Sequence, residues 1–209
     1  MILDLHNHSI KSDDARAKVE NYCQWIRKRD LPLDGFVLTE HRQFDAESDY
    51  RKLEDEFGLL ILKGSEVETD YGHVLLFGVN EDLRHAFDFG RVDLPLDRVL
   101  HEAERCGAVA APCHPGRVNV GLCAHYAERG PVEGVRIVEV KNGGSRAGED
   151  DAAESLALEH GYRGFGGSDA HIVSHIGRCA TTFPREIRNI DDLVAALQAA
   201  EFEAKSWQT

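Results

Sequence analysis

The segment Asp4-Leu5-His6-Asn7-His8-Ser9 follows directly on the apolar run Met1-Ile2-Leu3 and starts a pattern that persists to the end of the chain. Residues two apart on an extended chain point the same way, so a strand ending here turns His6 and His8 toward one point in space. A single His-x-His pair is equally compatible with two polar loop residues. The recurrence is the constraint: nearly every later apolar run also ends with a His, Glu or Asp just past its last residue. A chain written this way has to bring the ends of its strands together.

Strands are expected at 1–5, 35–39, 59–63, 73–79, 108–112, 135–140 and 163–167. Helices are expected over 18–29, 46–57, 96–106, about 123–129, 152–160 and 191–200. Val19, Tyr22, Cys23 and Ile26 share one face of the first helix, and Leu193, Val194 and Leu197 one face of the last. Gly107 and Gly161 end their helices from the C′ position. The link between the third and fourth strands is too short for a helix, so a hairpin-like return is expected there. The alternation gives an α/β fold with a mainly parallel sheet and outer helices.

Two architectures satisfy that alternation. An open doubly wound sheet gathers ligands only at its switch point. A closed barrel brings the loop after every strand to one mouth. Because almost every strand contributes a ligand, the reading is a distorted seven-stranded barrel, one domain over residues 1–209, with its metal cluster at the C-terminal mouth of the strands.

The ligand candidates are His6, His8 and Asp13 after the first strand, His41 after the second, Glu66 after the third and His73 at the start of the fourth. His114 follows the fifth strand, and Asp169 and His171 follow the seventh. Imidazole mixed with carboxylate suits Zn²⁺, Mn²⁺ or Fe²⁺ better than Mg²⁺ or Ca²⁺, which prefer oxygen alone. Six histidines and three carboxylates are too many for one ion, so two or three divalent ions are expected. Arg117 and Arg178 lie beside these motifs and are assigned to substrate phosphate, which Arg grips with a bidentate fork. Glu139 is expected inside the barrel as a buried, hydrogen-bonded carboxylate, and Cys113 is read as a packed thiol rather than a soft ligand.

With 24 Lys+Arg against 37 Asp+Glu, the net charge is −13. Such a surface repels a phosphate backbone, so a small phosphorylated substrate is expected and long nucleic acid is not. Five irregularly spaced cysteines give no even disulfide framework, and no apolar run reaches membrane-spanning length. A cytoplasmic protein without a membrane partner is the expectation.

The same residues carry a family resemblance. Asp4-Leu5-His6-Asn7-His8-Ser9, Ser12-Asp13, Thr39-Glu40-His41, Gly64-Ser65-Glu66, Gly72-His73, His114-Pro115 and Gly167-Ser168-Asp169-Ala170-His171 occur in the order seen in the polymerase-and-histidinol-phosphatase (PHP) superfamily, which the chain resembles over nearly its whole length. The chain departs from that pattern with Asp14 where a glycine usually follows Asp13, and with Glu40 where an Asp usually stands. The resemblance implies a (β/α)₇ barrel with one ion on His6, His8, Glu66 and Asp169, and a second on Glu66, His73 and His114. A third would sit on Asp13, His41 and His171, with Glu66 bridging the first two.

It also implies a phosphomonoesterase acting on a nucleotide or histidinol-phosphate-like substrate through a metal-bound hydroxide, with Glu66, Asp169 and His171 catalytic. The alternatives are a phosphodiesterase or exonuclease acting on short oligonucleotides or dinucleotides, and a non-catalytic metal-stabilised module.

Overall fold

The computed structural model describes residues 1–207 and has mixed α/β architecture. In chain order the elements are β1 (Ile2–Asp4), α1 (Val19–Lys28), β2 (Gly35–His41), α2 (Arg51–Phe57), β3 (Leu60–Thr69), β4 (Gly72–Phe77), α3 (Glu81–Ala86), α4 (Leu96–Arg105) and β5 (Val109–Pro112). They continue with α5 (Leu122–Arg129), β6 (Ile137–Asn142), α6 (Glu149–His160), β7 (Arg163–Gly167), β8 (Cys179–Thr182), α7 (Ile190–Gln198) and β9 (Glu203–Ser206). Gly107 and Gly161 have φ of 72° and 71°, as expected of residues that end helices. None of the described helices is long and apolar enough to cross a membrane.

The expected distorted barrel forms in part, as a curled half-barrel that does not fully close. Seven strands make one curled sheet in the order β5-β4-β3-β2-β1-β8-β9, and β6 and β7 pair separately. The pairs β1–β2, β2–β3 and β6–β7 are parallel, whereas β3–β4, β4–β5, β1–β8 and β8–β9 are antiparallel. Two of these strands, β8 and β9, lie outside the expected set. They are short, and their Cys-Ala-Thr-Thr and Glu-Ala-Lys-Ser segments lack an apolar run.

Side chains, rather than a backbone ladder, join β7 to β8. Thr181 Oγ1 accepts from Gly166 N at 2.9 Å and donates to Gly166 O at 2.8 Å. Ser168 Oγ donates to Cys179 O at 3.0 Å and accepts from Cys179 N at 3.2 Å. The approach leaves no room for larger residues in β7: a Cβ on Gly166 would lie 2.6 Å from Ala180 O, and one on Gly167 2.4 Å from His6 Cβ. At the other seam, His114 N on the loop after β5 donates to Glu139 Oε2 of β6 at 2.7 Å.

Period-two alternation explains what the curled sheet encloses. Leu3, Leu5, Val37, Leu62, Leu75, Phe77 and Phe165 pack inside, against Leu193 and Leu197 of α7. Phe36, Leu38 and Ile61 face outward against Tyr22, Cys23 and Ile26 of α1. Each fully buried Leu or Phe contributes about 1.5–3 kcal/mol. Along the inward row of β2 the sequence runs from Val37 through Thr39 to His41, and along β3 from Leu62 through Gly64 to Glu66. One end of the interior is therefore apolar and the other carries ligating groups.

Candidate metal centre

The structure brings eight of the nine expected ligands to one rim. β3 continues beyond its expected end, so Glu66 lies within the strand, paired with His41 of β2 and Leu75 of β4. β4 runs antiparallel to β3, which is why His73 reaches the rim from the start of its strand. His114 and Asp169 have φ of +34° and +51°, left-handed conformations that turn the chain sharply just past β5 and β7. Asp169 N donates to His6 O at 2.7 Å and His8 N to Ala170 O at 2.9 Å, which fixes the loop after β7 to the loop after β1.

Glu66 is 1% exposed and its two oxygens face different partners. Oε2 is 2.8 Å from His6 Nε2 and 3.2 Å from His8 Nε2, while Oε1 is 2.7 Å from His73 Nδ1 and 3.2 Å from His114 Nε2. Asp169 Oδ1 completes the Oε2 side, 3.5 Å from His6 Nε2 and 3.3 Å from His8 Nε2. His6 and His8 present their Nε2 atoms to each other at 3.1 Å. A tetrahedral ion bound at about 2.0–2.1 Å to such donors holds them about 3.3 Å apart, so the four atoms have the spacing of a coordination shell.

Electrostatics agree with that fit. His6 is held well above the ordinary imidazole range: burial opposes protonation, but Glu139, Asp169 and Glu66 outweigh it. His8 is pushed up to about 9 against burial by Asp169 and Glu66. Glu66 and Asp169 lie well below the carboxylate range, against burial, with His6 the largest favourable neighbour of each. Two protons thus balance two carboxylates, and a single divalent cation would carry the same charge at the same place. His114 Nδ1 is buried without a hydrogen-bond partner among the described residues, while its Nε2 faces Glu66 Oε1 at 3.2 Å.

A third group adjoins the first two. His171 Nδ1 donates to the Asp169 carbonyl at 2.9 Å, leaving Nε2 3.3 Å from His41 Nε2 and 3.1 Å from Asp14 Oδ2. Asp13, the expected ligand here, points away and pairs with Arg42 at 2.8 Å. The correction follows from the turn at residues 9–14, which exposes Asp13 and sends Asp14 back over the rim. Glu40 does not reach the cluster: it accepts from Ser9 N at 3.1 Å and Ser12 Oγ at 2.6 Å, and so holds that turn.

Glu139 is buried inside, as expected, and supports two ligands. Its Oε1 accepts from His6 Nδ1 at 3.0 Å, its Oε2 from His114 N at 2.7 Å and from Asn142 Nδ2 at 2.8 Å. The first of these bonds orients the His6 ring and fixes its tautomer, and the second holds the backbone of His114. Arg117 donates to Asp169 Oδ2 at 2.7 Å and Asn142 Oδ1 at 3.2 Å, and Arg178 to Gly143 O at 3.2 Å. These bonds engage Nη2 of Arg117 and Nη1 of Arg178. Cys113, read as a packing thiol, lies 3.5 Å from Glu66 Oε1 and 3.4 Å from His114 Nε2. Its adjacency to His114 was the only sequence signal, and ordinary alternation points neighbouring residues to opposite faces.

Residues 149–202 match the PHP-associated family (PHP_C). PsfC from Pseudomonas syringae is similar in structure, with a TM-score of 0.71 at 19% identity over 98% of this chain and 91% of that one. Endonuclease Q from Pyrococcus furiosus, a lesion-specific endonuclease, gives a TM-score of 0.70 at 16% identity; the match covers 97% of this chain but spans only 57% of that one. A putative metal-dependent phosphoesterase from Bifidobacterium adolescentis gives 0.59 at 16% identity over 94% and 95% of the two chains.

Endonuclease Q also matches in its complex with a 27-mer duplex that has an abasic lesion at the active site. That finding overturns the expectation that long nucleic acid is excluded. Net charge was the wrong criterion, because it averages over the whole surface, whereas a duplex meets only the face around the site.

Proposed function

We propose that the chain is a member of the PHP superfamily and a metal-dependent hydrolase of phosphate esters. The observation that carries the reading is the division of Glu66, one oxygen facing His6 and His8 and the other facing His73 and His114. A carboxylate placed in this way would serve two cations at once. The first set would be His6, His8, Glu66 and Asp169, the second Glu66, His73 and His114, and the third His41, His171 and Asp14. When bound, cations lower the pKa of water and offset charge on phosphate oxygens.

The chain's own groups set the rest. Glu66, Asp169 and His171 are the proposed catalytic residues, because they touch the cation sets and line the rim where an ester would bind. Glu139 keeps His6 and His114 in their ligating orientation, and Arg117 holds Asp169 so that Oδ1 faces the two histidines. His41, His73 and His171 are the partly exposed imidazoles of the site, and a substrate would reach it past them.

A second reading, cleavage of phosphodiesters including those in DNA, is favoured by the likeness to endonuclease Q. The test loads the full chain with Zn²⁺, Mn²⁺ or Fe²⁺ and offers 4-nitrophenyl phosphate, bis(4-nitrophenyl) phosphate and a duplex containing an abasic site. Chelator-sensitive hydrolysis of the monoester supports a phosphatase, and preference for the diester or duplex supports the second reading. Protein that demonstrably carries metal yet hydrolyses none of them overturns both.

A further inference from the structure

We propose that the Cys113 thiol is a ligand of the cation on the Oε1 side of Glu66, together with His114. The inference rests on the reading of this cluster as a metal site and not on which ester is hydrolysed. Cys113 is 1% exposed, and its Sγ belongs with His6, Glu66 and His114 to one set of donor atoms within 4.8 Å of each other. Three of those donors form a triangular face, with Sγ 3.5 Å from Glu66 Oε1, Sγ 3.4 Å from His114 Nε2, and Oε1 3.2 Å from Nε2. A tetrahedral ion with sulfur at about 2.3 Å and lighter donors at about 2.0–2.1 Å sets these edges at about 3.5, 3.5 and 3.3 Å.

Residues 113 and 114 would ordinarily face opposite ways past the end of β5. The φ of +34° at His114 cancels the alternation and brings both side chains onto the cluster. Their backbones are pinned from both sides, Cys113 N to His73 O at 3.1 Å and His114 N to Glu139 Oε2 at 2.7 Å. The thiol therefore sits where the apolar interior meets the ligating rim, beside an imidazole whose other nitrogen is buried without a partner. On binding, a metal–sulfur bond forms and the thiol proton passes to solvent, with no change of oxidation state. One soft donor biases the site toward Zn²⁺, Fe²⁺ or Co²⁺ and away from Mn²⁺ or Mg²⁺.

Zinc-edge X-ray absorption on the zinc-loaded full chain tests the assignment without reference to turnover. The expected result is sulfur at about 2.3 Å beside nitrogen and oxygen at about 2.0–2.1 Å, with the sulfur lost in Cys113→Ser. Cobalt-loaded protein should show a sulfur-to-metal charge-transfer band that the same variant loses. The variant should also hold Zn²⁺ on the order of tenfold more weakly, with Mn²⁺ much less affected.

Only nitrogen and oxygen around zinc in the native protein, or sulfur retained in Cys113→Ser, overturns the proposal. The native spectrum decides by itself should the variant not fold, because Cys113 is the only thiol in these donor sets among the described residues. Protein that takes up no divalent metal overturns the metal-site reading as well, whereas a sulfur-free metal shell overturns this inference alone.

Discussion

Arg117 and Asp169 form a 2.7 Å ion pair, Nη2 to Oδ2, which leaves Asp169 Oδ1 to face His6 and His8. The residue expected to grip phosphate thus acts on a ligand. Arg117→Ala should therefore weaken metal retention by about 10–100-fold, the usual effect of losing a group that orients a ligand. Turnover should fall with occupancy and recover in part at saturating metal. Arg117→Lys should restore only some of the loss, because both bonds leave the single nitrogen Nη2 and the shorter lysine has to place its ammonium at that point. Equilibrium dialysis beside steady-state kinetics checks this. Unchanged metal retention with impaired turnover would return Arg117 to the phosphate.

Glu66→Gln should be the most damaging single change at the rim. It removes a charge that screens two cation sites from each other and replaces one acceptor oxygen with an NH₂ group facing imidazoles. Turnover should fall by at least about 10³-fold, or roughly 4 kcal/mol, and metal content should drop toward one ion or none. Circular dichroism should stay near native, since Glu66 packs against the site and not the apolar core. Near-normal turnover or full metal content would sink the bridging role.

Asp14 and Asp13 separate by placement. Asp14 Oδ2 is 3.1 Å from His171 Nε2, while Asp13 pairs with Arg42 at an exposed position. Asp14→Asn should lower metal content and turnover, and Asp13→Asn should leave both within about twofold, as expected for an exposed ion pair. The reverse ranking, from metal analysis on the two variants in parallel, would restore Asp13 as the ligand.

The rim was readable because its logic is local. A polar side chain just past an apolar run is visible in the letters, and that sufficed to place His6, His8, His41, Glu66, His73, His114, Asp169 and His171 at one rim. The choice between Asp13 and Asp14 depended on how one turn folds over Ser12, which no pattern of residue types encodes. Cys113 was hidden because only the left-handed backbone at His114 lets neighbouring residues face one point. The expected strands left out β8 and β9, which are short, lack an apolar run and enter the sheet by backbone pairing with β1 and with each other. Charge misled about partners because a sum over the chain says nothing of the face that meets a ligand.

Asp45 links the two turns that flank the third donor group, and its protonation should set part of the acid stability. Its Oδ1 accepts from Lys11 Nζ at 2.8 Å and Ser48 N at 3.1 Å, and its Oδ2 from Tyr50 OH at 3.1 Å. Burial works against ionisation, yet the Lys11 bond, followed by Ser48 and Tyr50, holds the carboxyl well below the usual carboxylate range. A folded-state pKa below the unfolded 3.8 means the contribution is fully present above about pH 4 and is lost as the pH falls below it. Lys11 is itself 37% exposed, so solvent screens part of the pair. Asp45→Asn should therefore cost about 1–2 kcal/mol near neutral pH, mostly from the lost charge-assisted bonds. Urea unfolding of both proteins at about pH 7 and about pH 3 reads the difference. The gap should narrow at the lower pH; a gap that stays constant, or widens in acid, would show that Asp45 is not held ionised by this network.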